Sequence, residues 1–329
     1  MNSTAPTMRA VVIDEPGAPE VLQIRDVPRP QARPGQVLIE VKAFGLNRSE
    51  LHFRQGVGSS GSFPRIPGIE ASGVVVAAPG HEFSPGQTVV TMMGGMGREF
   101  DGGYAEYVVV PASQVIAFDS VLPWGQVGAV PEMLQTAAGT LRVGLEAQAG
   151  QSLLIRGGTS SVGLTIAVLA KRQGLSVYST TRRPEAAALL RDVGVDTVLI
   201  DDGAIAEQIR QTLPQGVDCA VELVGANVLK DTLAAVRTGG TVCFTGMLSD
   251  QWTIPDFYPM DWLPNGVRLT AYSGEGADLS PATLQGFLDA VQNGDARLPV
   301  GRTYRMDQIV QAHIDMEAGV VGGKAVVVV

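Results

Sequence analysis

Leu153–Gly163 reads LLIRGGTSSVG and runs on into Leu164–Gly174, LTIAVLAKRQG. An apolar, strand-like run of Leu153, Leu154 and Ile155 meets a Gly/Ser-rich turn. Val162, Ile166 and Leu169 then recur at helical spacing. A strand that turns sharply into a helix leaves N–H groups at the helix start without partners. Together with the positive end of the helix dipole, those donors suit a pyrophosphate. Gly158 and Gly163 take the first and last glycine places of G-x-G-x-x-G, and Ser160 takes the middle one. Such a turn is also common as plain structure, so the residues downstream decide its meaning.

Downstream the chain alternates. Leu175–Thr180 (LSVYST) reads as a second strand, and Pro184–Gly194 as a helix opened by Pro and closed by Gly. Asp196–Ile200 is a third strand and Ile205–Leu213 a helix. Val217–Val224 (VDCAVELV) is a fourth strand and Val228–Arg237 a helix. Thr241–Thr245 and Arg268–Tyr272 follow as fifth and sixth strands. Strands alternating with helices of about ten residues predict a parallel, doubly wound sheet with its ligand crevice at the carboxyl ends of the strands.

The end of the second strand selects the nucleotide. An NAD site offers an acid about twenty residues past the first glycine. Here the chain reads Ser179-Thr180-Thr181-Arg182-Arg183, with no acid before Glu185. Two guanidiniums in place of a carboxylate favour a 2′-phosphate, so NADPH is the expected cofactor. The expected contacts on the loop are Gly158, Thr159, Ser160, Ser161, Val162 and Gly163. At later strand ends they are Thr181, Arg182, Arg183, Val224, Gly246, Met247, Tyr272 and Ser273.

A chain of 329 residues is long enough for two domains. Its formal charge of −9 argues against nucleic acid or an anionic membrane as partner. The two cysteines, Cys219 and Cys243, fall in predicted buried strands and cannot build a disulfide framework, which fits a reducing cytoplasm. The first residues, MNSTAPTMRA, lack the apolar core of a signal peptide, and no apolar run is long enough to span a bilayer.

Residues 8–130 differ from the middle of the chain. Met8–Ile13, Val37–Phe44, Gly73–Ala77, Thr88–Met92 and Tyr104–Val110 are short β-rich runs separated by Pro-Gly turns, a β-barrel-like pattern. Residues 124–150 carry two helical segments into the glycine loop. Helices are expected over about Pro281–Asn293 and Asp307–Ala318, and a last strand over Lys324–Val329 (KAVVVV). A terminal strand this apolar must be covered, most simply by completing a sheet of the first domain. The expected organisation is therefore a split domain, 1–130 with 280–329, and a nucleotide domain, 131–279, inserted in it.

Several segments in fixed order carry a family resemblance: VLIEVKAFGLNRSELHFRQG (37–56), PRIPGIEASGVV (64–75), GGYAEYVVVPA (102–112), TAAGTLR (136–142), LLIRGGTSSVGL (153–164), GGTVCFTGM (239–247) and GGKAVVV (322–328). Over essentially its whole length the chain resembles the medium-chain dehydrogenase/reductase superfamily, and within it the zinc-free quinone oxidoreductase, or zeta-crystallin-like, branch. The resemblance implies an α/β fold in which a Rossmann sheet is inserted in a GroES-like, β-barrel-type catalytic domain. It also implies a homodimer paired through Arg268–Tyr272.

In the zinc alcohol dehydrogenases of this superfamily a Cys, a His-Glu pair and a later Cys hold the metal. Here the first position is Asn47, and the His-Glu pair is Ile69-Glu70. The three histidines, His52, His81 and His313, are scattered, so no metal is expected. Without a Lewis acid, an electron-poor conjugated acceptor is the easier substrate, because the charge spreads onto a conjugated oxygen. The candidate catalytic residues are Asn47 and Thr136, as hydrogen-bonding groups, and His52. In relatives a Tyr stands at the place of His52 as proton donor or positioner; His52 is read as a proton donor, a pocket wall or a surface residue. Glu70 is expected to be buried and paired with Arg48 or Arg54. Trp252, Phe257 and Tyr258, in the aromatic loop 249–264, are the candidate walls of a pocket for a small hydrophobic carbonyl or quinone.

The expected activity is a zinc-independent, NADPH-dependent reductase of a quinone or other α,β-unsaturated carbonyl. A 2-enoyl thioester reductase is the alternative enzyme. An NADPH-binding sensor or structural protein with little turnover is the alternative without chemistry.

Overall fold

The computed structural model describes residues 6–57 and 61–329. They form two compact units, Met1–Gln135 with Glu275–Val329, and Thr136–Gly274. Both boundaries lie five residues from the expected 130 and 280. The stretch before Thr136 carries Glu132, whose N–H donates to the Glu70 carboxylate at 2.9 Å, so it folds with the first unit. Gly276 lies so close to the Met92 carbonyl that a Cβ there would stand 2.7 Å from it, which ties residues 275–279 to the first unit as well.

The first unit opens with β1 (Thr7–Val12) and β2 (Gln23–Pro28), an antiparallel pair. Then come β3 (Gln36–Gly45), α1 (Arg48–Arg54), β4 (Glu70–Ala77), β5 (Thr88–Met92), β6 (Tyr107–Pro111), β7 (Val115–Ala117), α2 (Trp124–Val127) and α3 (Pro131–Gly139). The second unit holds β8 (Ser152–Arg156), α4 (Ser161–Arg172), β9 (Ser176–Thr181), α5 (Ala187–Asp192), β10 (Thr197–Ile200) and α6 (Ile205–Thr212). It continues with β11 (Val217–Glu222), α7 (Leu229–Ala234), β12 (Val236–Phe244), α8 (Pro259–Trp262) and β13 (Arg268–Ala271). The chain returns to the first unit with α9 (Pro281–Gln292), β14 (Val300–Arg305), α10 (Ile309–Glu317) and β15 (Lys324–Val328).

In the first unit β3 is the hub, pairing antiparallel with β4, β6 and β15. The apolar terminal strand is covered by that pairing, with Val327 opposite Phe44. Phe44 in turn stacks on Tyr104 at 4.4 Å, inside a core that includes Ile13, Ile39, Met96 and Val108. Three strands, β2, β7 and β14, go unread in the sequence. In β2 and β14 nearly every side chain is exposed, so no apolar alternation announces them and partner strands impose their conformation.

The second unit is a six-stranded, wholly parallel sheet in the order β10-β9-β8-β11-β12-β13. Strand order reverses between β8 and β11, where doubly wound sheets open their ligand crevice. Helix α8 goes unread in the sequence, and β12 begins at Val236, five residues before the expected Thr241. Helix α7 stops at Ala234 rather than Arg237, because Val236 pairs with Val217 and the Ala235 carbonyl accepts from Val217 N at 3.0 Å.

Candidate functional site

In the second unit the loop between β8 and α4 is built by four residues. Gly157, not one of the expected contacts, takes the left-handed conformation at φ +87°, which glycine adopts without penalty. Ser160 is the N-cap of α4: its hydroxyl oxygen accepts from Gly163 N at 3.1 Å and its O–H donates to the Gly157 carbonyl at 2.9 Å. A side chain at the middle place of the motif is thus used to start the helix. A Cβ on Gly163 would stand 2.8 Å from the Gly157 oxygen, so glycine there lets helix and loop meet. Gly158 backs onto β9, its N–H bonded to the Thr180 carbonyl at 3.1 Å. The Leu164 N–H is taken by the Ser160 carbonyl. The N–H groups of Ser161 and Val162 remain as first-turn donors for an anion, with half-buried Thr159 beside them.

At the end of β9, Thr181 is buried and its hydroxyl oxygen accepts from Arg183 N at 3.1 Å. Arg182 and Arg183 are exposed, and neither guanidinium has an ion-pair partner among the described residues. At the ends of β11 and β12 the chain folds back on itself. Val224 accepts from Ser249 N at 2.7 Å, Gly246 N donates to the Glu222 carbonyl at 3.1 Å, and the Met247 carbonyl accepts from Asp250 N at 3.0 Å. Tyr272 is buried with its ring against Gly139, and Ser273 beside it is exposed. Thr136 is half-buried in α3. In the aromatic loop Trp252, Phe257 and Tyr258 are exposed to 40%, 41% and 62%, and Phe257 packs on Trp262 at 5.7 Å between ring centres.

Beneath the loop lies a charge network that the sequence reading passed over. Arg156, fully buried, forks onto Asp201 at 2.9 and 2.8 Å and reaches Asp231 at 2.7 Å. Its Nη1 also donates to the Thr232 hydroxyl at 3.1 Å, and that hydroxyl donates to the buried Glu222 carboxylate. Glu222 accepts from Val224 N at 2.6 Å and Gly225 N at 3.0 Å, and burial pushes it up to about 7. The signal was present: an Arg closing the apolar run LLIR, and a Glu closing VDCAVE.

The first unit holds a second buried cluster. Asn47 caps α1 in a reciprocal box with Glu50, its own N–H donating to Glu50 at 3.0 Å. The Asn47 amide nitrogen donates to Glu70 at 2.9 Å, and its oxygen accepts from the Lys324 ammonium. Lys324 also lies 2.7 Å from Glu70 and 3.3 Å from Glu132. The expected pairing of Glu70 with Arg54 is therefore corrected. Arg54 is engaged by Glu317 and the Gly17 carbonyl, and the cation on Glu70 comes from β15. Burial acts to lower the Lys324 pKa, but Glu70 and Glu132 outweigh it and hold the ammonium charged. Burial lifts Glu50 to about 7. His52 is buried on α1 at 8% exposure. His313 is buried too, bonded to the Tyr104 hydroxyl at 3.2 Å, and burial drives it down to about 3. Both cysteines are buried and free, with the Cys219 thiol pushed up to about 12 by burial.

Comparison with known proteins agrees with this architecture. Residues 33–120 match the alcohol dehydrogenase GroES-like domain family, and residues 161–292 match the zinc-binding dehydrogenase family. The quinone oxidoreductase of Mus musculus is 28% identical over 95% of each chain. The alcohol dehydrogenase of Geobacillus stearothermophilus is 26% identical over 97% of this chain and 98% of its own. Among solved structures, mycobacterial Rv1454c complexed with NADPH superposes with a TM-score of 0.84. It shares 27% identity and covers 98% of this chain and 100% of its own.

Proposed function

Because the chain belongs to the medium-chain dehydrogenase/reductase superfamily, in its quinone oxidoreductase branch, and is an oxidoreductase, we propose that it reduces a quinone or other α,β-unsaturated carbonyl with NADPH and without zinc. The observation that carries the cofactor is the pair of exposed guanidiniums, Arg182 and Arg183, at the end of β9, which have no ion-pair partner among the described residues. Asp201, the carboxylate at the end of the neighbouring strand, is taken up by Arg156 and does not offer itself to a ribose. The glycine loop fits a pyrophosphate through the Ser161 and Val162 N–H groups at the start of a twelve-residue helix. Bound there, NADPH supplies a hydride. The arginines would hold its 2′-phosphate, and the turn at Val224, Gly246 and Met247 would orient its reactive end.

The donor set in the first unit does not fit zinc. Asn47 and Glu70, at the places where zinc relatives carry ligands, are both bonded to the Lys324 ammonium, and a divalent cation among them would face that charge. No group of three or more His, Cys, Asp or Glu among the described residues is arranged to hold a metal. We assign the proton that follows the hydride to His52, and to Asn47 the role of fixing α1, which carries His52. Trp252, Phe257 and Tyr258 supply the apolar, aromatic surface that a quinone would stack on.

The test is NADPH against NADH oxidation by purified protein with 9,10-phenanthrenequinone, 1,4-benzoquinone and a simple enone, with and without chelator. Turnover with NADPH that chelator leaves unchanged is expected. Chelator-sensitive activity would remove the zinc-free reading, and NADPH binding without turnover on any acceptor would favour a sensor. The reading extends to a homodimer through β13, which ends the parallel sheet and leaves one edge of its ladder unpaired within the described chain. Light scattering at the monomer mass of 34.5 kDa would sink that extension. Two buried free thiols also suit the cytoplasm. Among the described residues no helix is long and apolar enough to cross a membrane.

A further inference from the structure

We infer that Arg156 tunes the nucleotide site toward a 2′-phosphate, by drawing the Asp201 carboxylate inward and away from the edge that carries Arg182 and Arg183. The inference rests on the assignment of the glycine loop to NADPH. Strand β10 pairs with β9 so that Ile200 faces Thr181, and Asp201 N donates to the Thr181 carbonyl at 2.9 Å. The backbone of Asp201 therefore stands at the level where β9 ends and Arg182 begins. Dinucleotide folds select a ribose 2′-hydroxyl with an acid at the end of the second strand, the place Arg182 takes here, and a carboxylate one strand over, at Asp201, would bring the same charge beside it. In this chain its side chain is only 10% exposed and is gripped by two parallel N–H groups of Arg156, at 2.9 and 2.8 Å.

The grip is built from below. Arg156 is wholly buried at the end of β8, and its other arm is fixed by Asp231, the Val228 carbonyl and Thr232. Asp231 is itself committed, accepting from Ile205 N at 2.9 Å at the start of α6. The Thr180 hydroxyl also bonds to Asp201, and its oxygen accepts from Gly157 N at 3.1 Å, which ties the same carboxylate to the first residue of the loop. The guanidinium beside it holds the Asp201 carboxyl below the usual range against the pull of burial, so the pair stays ionised and its charge is spent internally. A forked Arg does this where a Lys, a point charge, would hold one carboxylate loosely.

The experiment measures dissociation constants for NADPH and NADH on the full chain, with circular dichroism as the check on folding. The proteins are wild type, R156Q, D201N and R156Q/D201N. In R156Q the preference for NADPH over NADH is expected to fall about tenfold or more, because a free carboxylate then faces the phosphate. In R156Q/D201N it is expected to recover. D201N alone should stay within about twofold of wild type, since Asp201 is already neutralised. A folded R156Q with wild-type preference overturns the inference. So does an equal loss of both affinities that D201N fails to repair, which would make Arg156 a support of the loop and nothing more. If R156Q does not fold, D201N still decides: a tenfold rise in NADPH preference would mean that the Asp201 charge is felt at the edge despite Arg156. A wild-type preference for NADH would overturn both this inference and the cofactor assignment, whereas an NADPH preference unmoved in R156Q overturns this one alone.

Discussion

The ammonium of Lys324 lies 2.7 Å from a carboxylate oxygen of Glu70, and both side chains are sealed from solvent. A buried charge without its partner is far more costly than the pair is favourable. Lys324→Met should therefore destabilise the protein by about 3–5 kcal/mol, and Lys324→Met with Glu70→Gln should recover a large part of that loss. Urea unfolding of the four proteins of this cycle measures it. A double variant no more stable than the Lys324 single variant would mean that the pair is not the unit.

Removing the guanidiniums at the end of β9 should act on one cofactor only. Arg182→Ala and Arg183→Ala are each expected to weaken NADPH binding roughly 10–100-fold, the usual effect of losing charge-assisted bonds to a phosphate. NADH affinity should hardly move. Equal losses for both cofactors would place the arginines away from the 2′-phosphate.

The loop should tolerate little added volume. Gly163→Ala sets a methyl 2.8 Å from the Gly157 oxygen, and Gly157→Ala forces a left-handed alanine that costs about 1–2 kcal/mol. Both variants should fold, as judged by circular dichroism, while NADPH affinity falls by roughly tenfold or more. Unchanged affinity in Gly163→Ala would show that the pyrophosphate does not use this turn.

Stability should fall as pH rises toward and past 7. Glu50 and Glu222 are each pushed up to about 7 by burial, so the folded protein keeps protons that the unfolded chain releases at lower pH. Their contribution is complete below the ordinary carboxylate range and lost as pH passes 7, by at most about 3 kcal/mol for each group. Glu222→Gln removes one such group and should flatten the decline in urea-unfolding free energy between pH 5 and 8. A slope identical to wild type would refute the assignment.

His52 carries the proposed proton. His52→Phe should lower turnover with 1,4-benzoquinone by about 100-fold, the low end of general acid contributions, with NADPH affinity preserved. A variant as fast as wild type would return the proton to solvent and leave His52 a packing residue of α1.

The sequence by itself determined the parallel alternation after Leu153, most strands of the first unit, the glycine loop and the arginines at Arg182 and Arg183. Each of those is written locally, in hydrophobic period, turn residues and a missing acid within some thirty positions. Long-range pairing decided the rest. Asn47 and Lys324 stand 277 residues apart in the chain, and only the antiparallel meeting of β3 and β15 brings the ammonium to the cap of α1. Arg156 and Asp201 are 45 apart and meet because β8, β9 and β10 lie side by side. Strands β2 and β14 left no apolar trace because they bury almost nothing. A charged residue inside an apolar run marks a buried partner, but which partner is settled by strand order, which no local pattern encodes.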